Sequence, residues 1–395
     1  MNIILFDDSA KQTLLPLTYT RPVCEIRCGI LTIKEKWEKY LNASCSFFTN
    51  EILSSKFKTE ITEDNILING SVLPSATLTE NILSLRSGEI LKQHDLLLAA
   101  RLNNDQVQSF RPETMISQPK QEFGGTILRI TNPWDIFSLN GIALEEDFKL
   151  LTKGRESATL SSTNNIIAPE NIFAEEGAKA EYATLNASTG PIYLGKESEV
   201  MEGSNIRGAF ALCEHAATKM GAKVYGPTTI GPHSKVGGEV HNSVLFGFSN
   251  KAHDGFLGNS VLGEWCNLGA DTNTSNLKNN YASVRLWNYQ SGNYADTGLQ
   301  FCGLIMGDHS KCGINTMFNT GTIVGVFANI FGAGFPRNFI PSFSWGGASG
   351  FSTYALSKAF EVAEIVMARR NVEFTESDRQ ILMAIFDKTM PYRKS

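Results

Sequence analysis

The residues with the clearest capacity for chemistry lie together in one polar stretch, residues 249–281. His253 lies two positions after Lys251 and is followed by Gly255 and Gly258. An imidazole titrates near neutral pH, so it can take up or release a proton during a reaction. A histidine in a polar, glycine-containing loop is less often structural than one on an apolar face, which makes His253 the first candidate for proton transfer. Further amide and ammonium side chains follow it at Asn267, Asn276 and Lys278.

Six-residue repeats are the elements that must position this stretch. Over residues 194–236, every sixth residue is apolar or threonine: Leu194, Val200, Ile206, Leu212, Thr218, Val224, Ile230 and Val236. This period fits neither a helix nor a simple strand. Three hexads of strand and turn close a triangular coil of roughly 18 residues, and such coils stack at the ~4.8 Å strand spacing. The period slips after Val236 and breaks from Asp271 to Phe301, so we expect the chemistry at these interruptions.

The composition excludes several classes of protein. A chain of 395 residues is long enough for two or more folding units. Its formal charge of -5 argues against non-specific nucleic-acid binding. No apolar run has the length of a membrane span, so a cytoplasmic protein without a membrane partner is expected. The seven cysteines contain no CxxC pair and are expected to be buried thiols. The histidines His94, His233, His241 and His309 lack metal-ligand spacing, and no metal site is predicted from them.

The polar stretch resembles the acetyltransferase half of the bifunctional N-acetylglucosamine-1-phosphate uridyltransferase/glucosamine-1-phosphate acetyltransferase family. The similarity is carried by Lys251-Ala-His253 before Phe256-Leu-Gly, and by Asn267-Leu-Gly-Ala270 leading to Asn276. It implies a left-handed parallel β-helix, a homotrimer with sites between neighbouring helices, and transfer of acetyl from acetyl-CoA. The acceptor would be an amino-sugar phosphate similar to glucosamine-1-phosphate.

The same resemblance implies roles for individual residues. His253 would be the general base, since an attacking amine must lose a proton, and Glu239, a little less than one coil earlier, could orient the imidazole. Asn267 and Asn276 would hydrogen-bond the amino sugar, and Lys251 or Lys278 would contact phosphate or CoA. Arg207 and His215 flank hexad positions upstream and are further candidates for a sugar-phosphate pocket. The sequence departs from the family pattern in three places: Phe256 replaces a phenol, Asp271 replaces a glycine, and two basic residues expected between Lys235 and Ser249 are missing or displaced.

Residues 1–125 alternate strand-like and helix-like runs, which predicts a layered α/β domain. Pro16-Leu17-Thr18 and Arg21-Pro22 resemble the opening signature of sugar-1-phosphate nucleotidyltransferases, which implies UTP or dTTP as a substrate. Asp8 and Arg21 are the candidate nucleotide-binding residues. However, Asp8 and Ser9 stand where loop glycines approach the triphosphate, and Ser71 stands where an aspartate holds magnesium. Magnesium is therefore expected only if this domain is active.

The sequence thus predicts four regions: the nucleotidyltransferase-like domain (1–125), a helical connector after Pro133 (126–155), the β-helix (156–345), and a helical tail that caps or clamps the last coil (346–395). Three functions are compatible with them. The first is an acetyltransferase acting in sugar-nucleotide biosynthesis. The second is a sugar-1-phosphate nucleotidyltransferase that uses the helix as a trimerisation scaffold. The third is a non-catalytic protein that binds sugar nucleotides.

Overall fold

A computed structural model describes residues 2–115 and 120–393. Contacts between Cα atoms divide the chain into two compact units. Unit 1 comprises Met1–Leu14, Thr20–Ile26 and Leu31–Asn132, and unit 2 comprises Leu15–Tyr19, Arg27–Ile30 and Pro133–Ser395. Elements are numbered in chain order.

Unit 1 is built on a mixed six-stranded sheet with the strand order β2-β1-β3-β6-β5-β7. Its strands are β1 (Asn2–Phe6), β2 (Cys45–Phe48), β3 (Asn65–Asn69), β4 (Val72–Leu73), β5 (Ile90–Gln93), β6 (Leu96–Leu102), β7 (Lys120–Glu122) and β8 (Leu128–Arg129). Its helices are α1 (Ala10–Thr13), α2 (Ile33–Leu41), α3 (Glu51–Ser54), α4 (Ala76–Leu83), α5 (Asn104–Gln108) and α6 (Pro112–Met115).

The local sequence explains these elements. The strand β1 is an unbroken apolar run and lies between β2 and β3, with both pairs parallel. Helix α2 begins with a capping box, in which the Thr32 hydroxyl accepts a bond from the Glu35 N–H and the Glu35 carboxylate accepts one from the Thr32 N–H. Strand β8 pairs with β4, so the first unit continues to Asn132 rather than ending near residue 125.

Unit 2 is a parallel β-helix whose coils have three sides. Side 1 consists of β9 (Asn165–Ile167), β12 (Thr184–Asn186), β15 (Asn205–Arg207), β18 (Lys223–Tyr225), β21 (Glu239–His241) and β24 (Phe256–Gly258), with β27 (Asn273–Thr274) and β32 (Met317–Phe318) as a separate pair. Side 2 consists of β10 (Ile172–Ala174), β13 (Ile192–Leu194), β16 (Phe210–Leu212), β19 (Thr228–Ile230), β22 (Val244–Gly247), β25 (Val261–Glu264), β30 (Leu304–Met306), β33 (Thr322–Val324) and β35 (Phe339–Ile340).

Side 3 consists of β11 (Lys179–Ala180), β14 (Glu199–Val200), β17 (Ala217–Thr218), β20 (Lys235–Val236), β23 (Asn250–Lys251), β26 (Asn267–Leu268), β31 (Lys311–Cys312), β34 (Asn329–Ile330), β36 (Ser344–Gly347) and β37 (Gly350–Thr353). All strand pairs within the three sides are parallel except β36 with β37. The predicted α/β domain, parallel β-helix and helical tail are confirmed.

The hexad residues form the core of this helix. Leu194, Leu212, Ile230 and Leu245 stack on side 2, one per coil, and each is fully buried. Burying one apolar side chain per side and per coil gives a continuous core. The corresponding column on side 3 contains a charged residue, because Lys251 stands between Val236 and Leu268.

The phase slip after Val236 is a shortened corner. Most corners between side 3 and side 1 have four residues, as at 201–204, 219–222, 252–255 and 269–272, and the first, at 181–183, has three. Between β20 and β21 the corner has only two, Gly237 and Gly238. The later break is an insertion after β27, and it carries an antiparallel hairpin of β28 (Arg285–Asn288) and β29 (Asn293–Asp296). Trp287 of this hairpin stacks on Phe339 at 4.2 Å between ring centroids.

Helices α7 (Pro133–Ser138) and α8 (Asn140–Thr152) form the connector and pack against the β-helix. Between them the chain turns at Leu139, so the single predicted helix is two helices. The buried Asn140 side chain donates to the Pro227 carbonyl at 3.0 Å and accepts from the Thr229 hydroxyl at 3.1 Å. These bonds fix α8 against the coil that contains β19.

An aromatic stack runs along the corner between sides 2 and 3, with centroid distances of 4.2 to 6.1 Å. Its members, all with positive φ, are His215, His233, Phe248, Trp265, His309, Phe327 and Phe343. The tail helices α9 (Leu356–Ala368), α10 (Glu376–Lys388) and α11 (Met390–Arg393) follow β37. Phe386 meets Phe343 edge-on at 5.1 Å, and Arg393 donates to the Ser342 carbonyl at 3.3 Å. The tail therefore packs against the end of the stack, where a capping or clamping role was predicted for it.

All seven cysteines are buried thiols. Within residues 2–115 and 120–393, no helix is long and apolar enough to cross a membrane.

Candidate functional site

The short corner opens a notch in the side of the β-helix. The corners on either side of Gly237 and Gly238 are two residues longer, so a recess of about 440 Å³ remains between them. Its lining comes from successive corners: Met201, Lys219, Met220, Gly237, Gly238, Ala252, His253, Asp254, Ala270 and Asp271. A cavity therefore lies at the first interruption of the hexad period, after Val236, where we predicted the chemistry.

Glycine is needed at both positions of the short corner. A Cβ on Gly237 would lie 2.4 Å from the Ala252 carbonyl oxygen, and one on Gly238 would lie 2.7 Å from the Gly255 carbonyl oxygen. Gly238 also has φ of +68°, a conformation that side chains disfavour. The two glycines therefore allow neighbouring coils to approach closely at the floor of the notch.

His253 lies on the long corner that forms one wall of the notch. Its side chain is exposed, and Asp254 and Asp271 line the recess with it. An exposed imidazole beside a recess has access to a ligand and to solvent, as a general base requires. Two carboxylates and the Lys219 ammonium in the same recess can bind a ligand that carries both charges.

Lys251 is placed differently from its predicted role as a phosphate or CoA contact. Its side chain points into the core column of side 3 and is 1% exposed. The ammonium donates to the carbonyls of Gly237 at 3.2 Å and Asp254 at 2.9 Å, and also to the carbonyl of His253. Burial lowers the pKa of Lys251 to about 8, against the opposing influence of Asp254, Asp271 and Cys312. All three ammonium protons are thus used within the protein.

In the part of the chain that the structure describes, Glu239 makes no hydrogen bond or ion pair with His253. Its strand register places it opposite Phe256, and its carboxylate accepts a 2.5 Å hydrogen bond from the Tyr225 hydroxyl. That bond, with burial, raises the pKa of Tyr225 to about 12. Glu239 also lies near enough to His241 to oppose the lowering of the His241 pKa that burial causes. The orienting role expected for Glu239 has no contact to support it.

The amide and lysine candidates lie outside the notch lining. Asn276 donates to the Asn259 side chain at 2.8 Å, which makes it part of a corner of side 1. Lys278 donates to the Ser283 carbonyl at 2.7 Å within the insertion. Asn267 is half-buried in β26, next to Asn250 and Lys311 in the strand register. Of these three candidates, Asn267 is the one whose side chain lies on the outer face of side 3.

Arg207 and His215 are also separated from the notch. Arg207 ends β15 on side 1 and is exposed. His215 lies at the corner between sides 2 and 3, where its ring stacks on His233 at 4.9 Å. The sequence had suggested a shared sugar-phosphate pocket, and the triangular coil instead distributes the two residues over different faces.

Unit 1 contains a second recess, a cleft of about 500 Å³ at the end of β1. Asp8 lines it and accepts hydrogen bonds from Arg129 at 2.6 Å, Asn69 at 2.8 Å and Ser71 at 3.3 Å. Arg129 also donates from Nε to the Ser71 hydroxyl at 2.9 Å. Asp7 is paired as well, through Lys11. Asp7 and Asp8 are therefore each paired with a cation.

Magnesium does not fit the residues of this cleft. A hard divalent cation needs several oxygen ligands, preferably carboxylates. Ser71 replaces the expected aspartate, and the nearest carboxylate, Asp8, is already bound to the Arg129 guanidinium. Over the described part of the chain, no three His, Cys, Asp or Glu side chains are grouped as metal ligands. Arg21, the other nucleotide-binding candidate, is buried and does not line the cleft.

Sequence reasoning missed two residues that the structure places at these sites. Lys219 flanks a hexad position as Arg207 and His215 do and was a candidate for the same sugar-phosphate pocket, although surface exposure was favoured for all three; of these, Lys219 lines the notch. Asp254 was not selected as a candidate, although its position directly after His253 in the sequence was a signal that could have identified it. Arg129 lay in the predicted connector, and only the pairing of β8 with β4 brings it to Asp8.

Comparison with known proteins gives one family match and two curated relatives. Residues 3–156 match the family described as sugar nucleotidyl transferase. A bifunctional sugar-1-phosphate nucleotidylyltransferase/acetyltransferase from Sulfurisphaera tokodaii is 28% identical over 213 residues, which are 53% of this chain and 46% of that protein. The bifunctional protein GlmU of Methanocaldococcus jannaschii is 34% identical over 87 residues, 22% of this chain and 21% of its own. The chain thus matches less than half the length of either relative.

Among solved structures, an Arabidopsis UDP-N-acetylglucosamine acyltransferase aligns over 60% of this chain and 94% of its own, at 16% identity and a TM-score of 0.22. A score this low establishes no common arrangement over the whole chain. The family match and the two relatives confirm the resemblance seen in the sequence: residues 3–156 match the sugar nucleotidyl transferase family, and the chain is related to the bifunctional nucleotidyltransferase/acetyltransferases.

Proposed function

We propose that this chain is an acetyltransferase of sugar-nucleotide biosynthesis, which moves acetyl from acetyl-CoA to the amino group of an amino-sugar phosphate. The observation that carries the proposal is the exposed His253 imidazole beside the notch at the short corner. The relatedness to bifunctional nucleotidyltransferase/acetyltransferases supports it.

The charges around the notch suit an amino-sugar phosphate. Asp254 and Asp271 attract the ammonium form of the acceptor's amine, and Lys219 attracts its phosphate. A neutral sugar would leave the carboxylates without a partner of opposite charge. The acceptor class therefore follows from the lining, whereas the identity of the sugar does not.

The reaction needs one base and no change of oxidation state. The amine nitrogen attacks the thioester carbonyl, and His253 removes the proton that the nitrogen loses. The tetrahedral intermediate collapses with cleavage of the carbon–sulfur bond. The proton held by His253 then neutralises the CoA thiolate, so the products are the N-acetylated sugar phosphate and CoA. Backbone N–H groups of the corner are suitable donors to the developing oxyanion.

The resemblance implies a homotrimer, and the surface beside the notch is consistent with a partner. Met220 on the rim is 71% exposed, and Ile314, two corners beyond His253, is 70% exposed. A neighbouring copy would cover these apolar side chains and close the open side of the recess. The cytoplasm, which supplies acetyl-CoA and sugar phosphates, is the location that this function implies.

The test is an assay of CoA release with acetyl-CoA and glucosamine-1-phosphate. We expect His253→Gln to lower kcat by about 10²- to 10⁴-fold, because the attacking amine loses its base. His241→Gln is the matched control, since His241 lies on side 1 and does not line the notch. Equal activity of His253→Gln and the unmodified protein would exclude His253 as the base. No CoA release with any amino-sugar phosphate would overturn the proposed function.

The family match of residues 3–156 favours a second candidate, a sugar-1-phosphate nucleotidyltransferase that uses the β-helix as a scaffold. The paired Asp8 and the serine at position 71 argue against it. A non-catalytic role in sugar-nucleotide binding is the third candidate. It predicts a rise in Tm with sugar nucleotides and no turnover of either kind.

A further inference from the structure

We propose that Lys251 is a positioning residue of the acetyl transfer: its buried ammonium ties the short corner to the long corner that carries His253 and so fixes the place of the imidazole. This inference rests on the proposed function. It concerns a residue that never touches the substrate, because the Lys251 side chain lies inside the coil.

The position of Lys251 requires an explanation. It occupies a column of side 3 where the neighbouring coils have Val236 and Leu268. An aliphatic side chain there would complete the apolar core, whereas an ammonium must be removed from water at a considerable cost. A buried charge is tolerated only where nearby polar groups accept its hydrogen bonds.

Those groups are the backbone carbonyls of two different corners. One acceptor, Gly237, belongs to the two-residue corner, and the other two, His253 and Asp254, belong to the next corner along the helix. The unequal lengths of these corners remove the regular register in which corner residues bond to one another, as Asp271 does to Asp254 at 3.1 Å. The ammonium has three donors and instead joins the short corner, which forms the floor of the notch, to the wall that carries His253.

One of these bonds is made directly to the backbone of the proposed base. The carbonyls of residues 253 and 254 lie in the two peptide planes that follow the His253 Cα, and the ammonium holds both of them. A misplacement of about 1 Å in a catalytic group lowers a rate by about 10²-fold. The clamp therefore acts on kcat through geometry, while Lys219 and Asp271, which lie on other corners and line the notch, make no bond to the Lys251 ammonium.

The charges around the ammonium give the clamp a dependence on pH. Asp254, Asp271 and the Cys312 thiol favour the charged form, burial opposes it more strongly, and the pKa falls to about 8. The ammonium is charged at neutral pH and loses one donor as the pH rises through 8. Activity should therefore fall on the alkaline side in the unmodified protein.

The experiment measures acetyl transfer by Lys251→Met, which keeps the length of the side chain and removes the ammonium. We expect kcat to fall by about 10²-fold with KM changed by less than about twofold, and the alkaline fall in activity to disappear. Ile330→Ala is the control, because it also perturbs the core column of side 3 but lies outside the notch. If the alkaline fall in activity also disappears in Ile330→Ala, the proposal is overturned.

A second variant covers the possibility that Lys251→Met misfolds. In Lys251→Ala, added propylammonium should restore part of kcat by occupying the vacated space, and propanol should not. Failure of the amine to rescue a folded Lys251→Ala protein would contradict the clamp. If the unmodified protein shows no acetyl transfer, the proposed function fails, and amide hydrogen exchange still tests the clamp. Exchange at residues 252–255 should be faster in Lys251→Met than in Ile330→Ala, and equal exchange would refute it.

Discussion

Two glycines with almost the same backbone conformation show how much a single Cβ matters at the notch. Gly221 and Gly238 have φ values of +69° and +68°. A Cβ on Gly221 would meet nothing within 4 Å, whereas one on Gly238 would lie 2.7 Å from the Gly255 carbonyl oxygen. The pair therefore separates backbone strain from the close approach of two coils.

We predict that Gly221→Ala costs about 1–2 kcal/mol of unfolding free energy through strain alone. Gly238→Ala should cost more and should also lower acetyl transfer, because the corner below it carries His253 and must move. Thermal unfolding and the CoA-release assay measure the two effects. Similar results for both variants would mean that the contact at Gly238 has no special role.

At the scale of elements, the corners of the β-helix carry the features that distinguish this chain. The strands repeat with little variation, while the corners differ in length and composition. One corner column holds the notch, and another holds the aromatic stack to which the tail is attached. Burial lowers the pKa of His233 within this stack, with smaller contributions from His215 and from Arg370 in the tail, and Glu214 opposes them.

This shift makes the stack sensitive to acid. The pKa of His233 is lower in the folded protein than its usual value of 6.5, so the unfolded chain takes up a proton first. Stability should therefore decline as the pH falls through the range below about 6.5. We predict that His233→Phe, which preserves stacking on Phe248 and cannot be protonated, reduces the loss of Tm between neutral and mildly acidic pH.

The control for this prediction is His253→Gln, which removes an exposed imidazole outside the stack. Its loss of Tm with acidification should match that of the unmodified protein. An unchanged loss in His233→Phe would assign the acid sensitivity to other groups, such as His241, whose pKa burial also lowers.

At the scale of the whole molecule, the two units differ in how much of their expected chemistry is retained. The β-helix keeps a recess with a suitable base, whereas the cleft of unit 1 has an arginine bound to its aspartate and a serine where a magnesium ligand is expected. The family match describes the ancestry of unit 1, and the side chains decide what it can catalyse.

We predict that the protein does not release pyrophosphate from UTP or dTTP with sugar-1-phosphates and magnesium under conditions where it transfers acetyl. The reason is that Asp8 would have to give up Arg129 before it could bind a cation. A coupled phosphate assay with inorganic pyrophosphatase measures this. Magnesium-dependent release that Asp8→Asn abolishes would restore the nucleotidyltransferase assignment.

The sequence by itself determined the architecture and the principal candidate residue. The hexads predict a coil, because a six-residue period buries one residue per side only when the chain turns after each strand. Six neighbouring residues are enough to show this pattern, so it can be read from the local sequence. The alternation of short runs indicated the α/β unit in the same way. His253 was recognisable because an unusual residue type interrupts a regular pattern.

Only the tertiary structure decided which residues share a site. Lys251 and His253 are neighbours in sequence, yet one points into the core and the other outward, since the strand ends between them. Glu239 lies close to a full coil before His253 in the sequence. In the structure it lies opposite Phe256, and its carboxylate accepts a hydrogen bond from Tyr225. Lys219 and Arg129 reach their sites through strand pairings. Such pairings join distant residues, and no local pattern in the sequence records them.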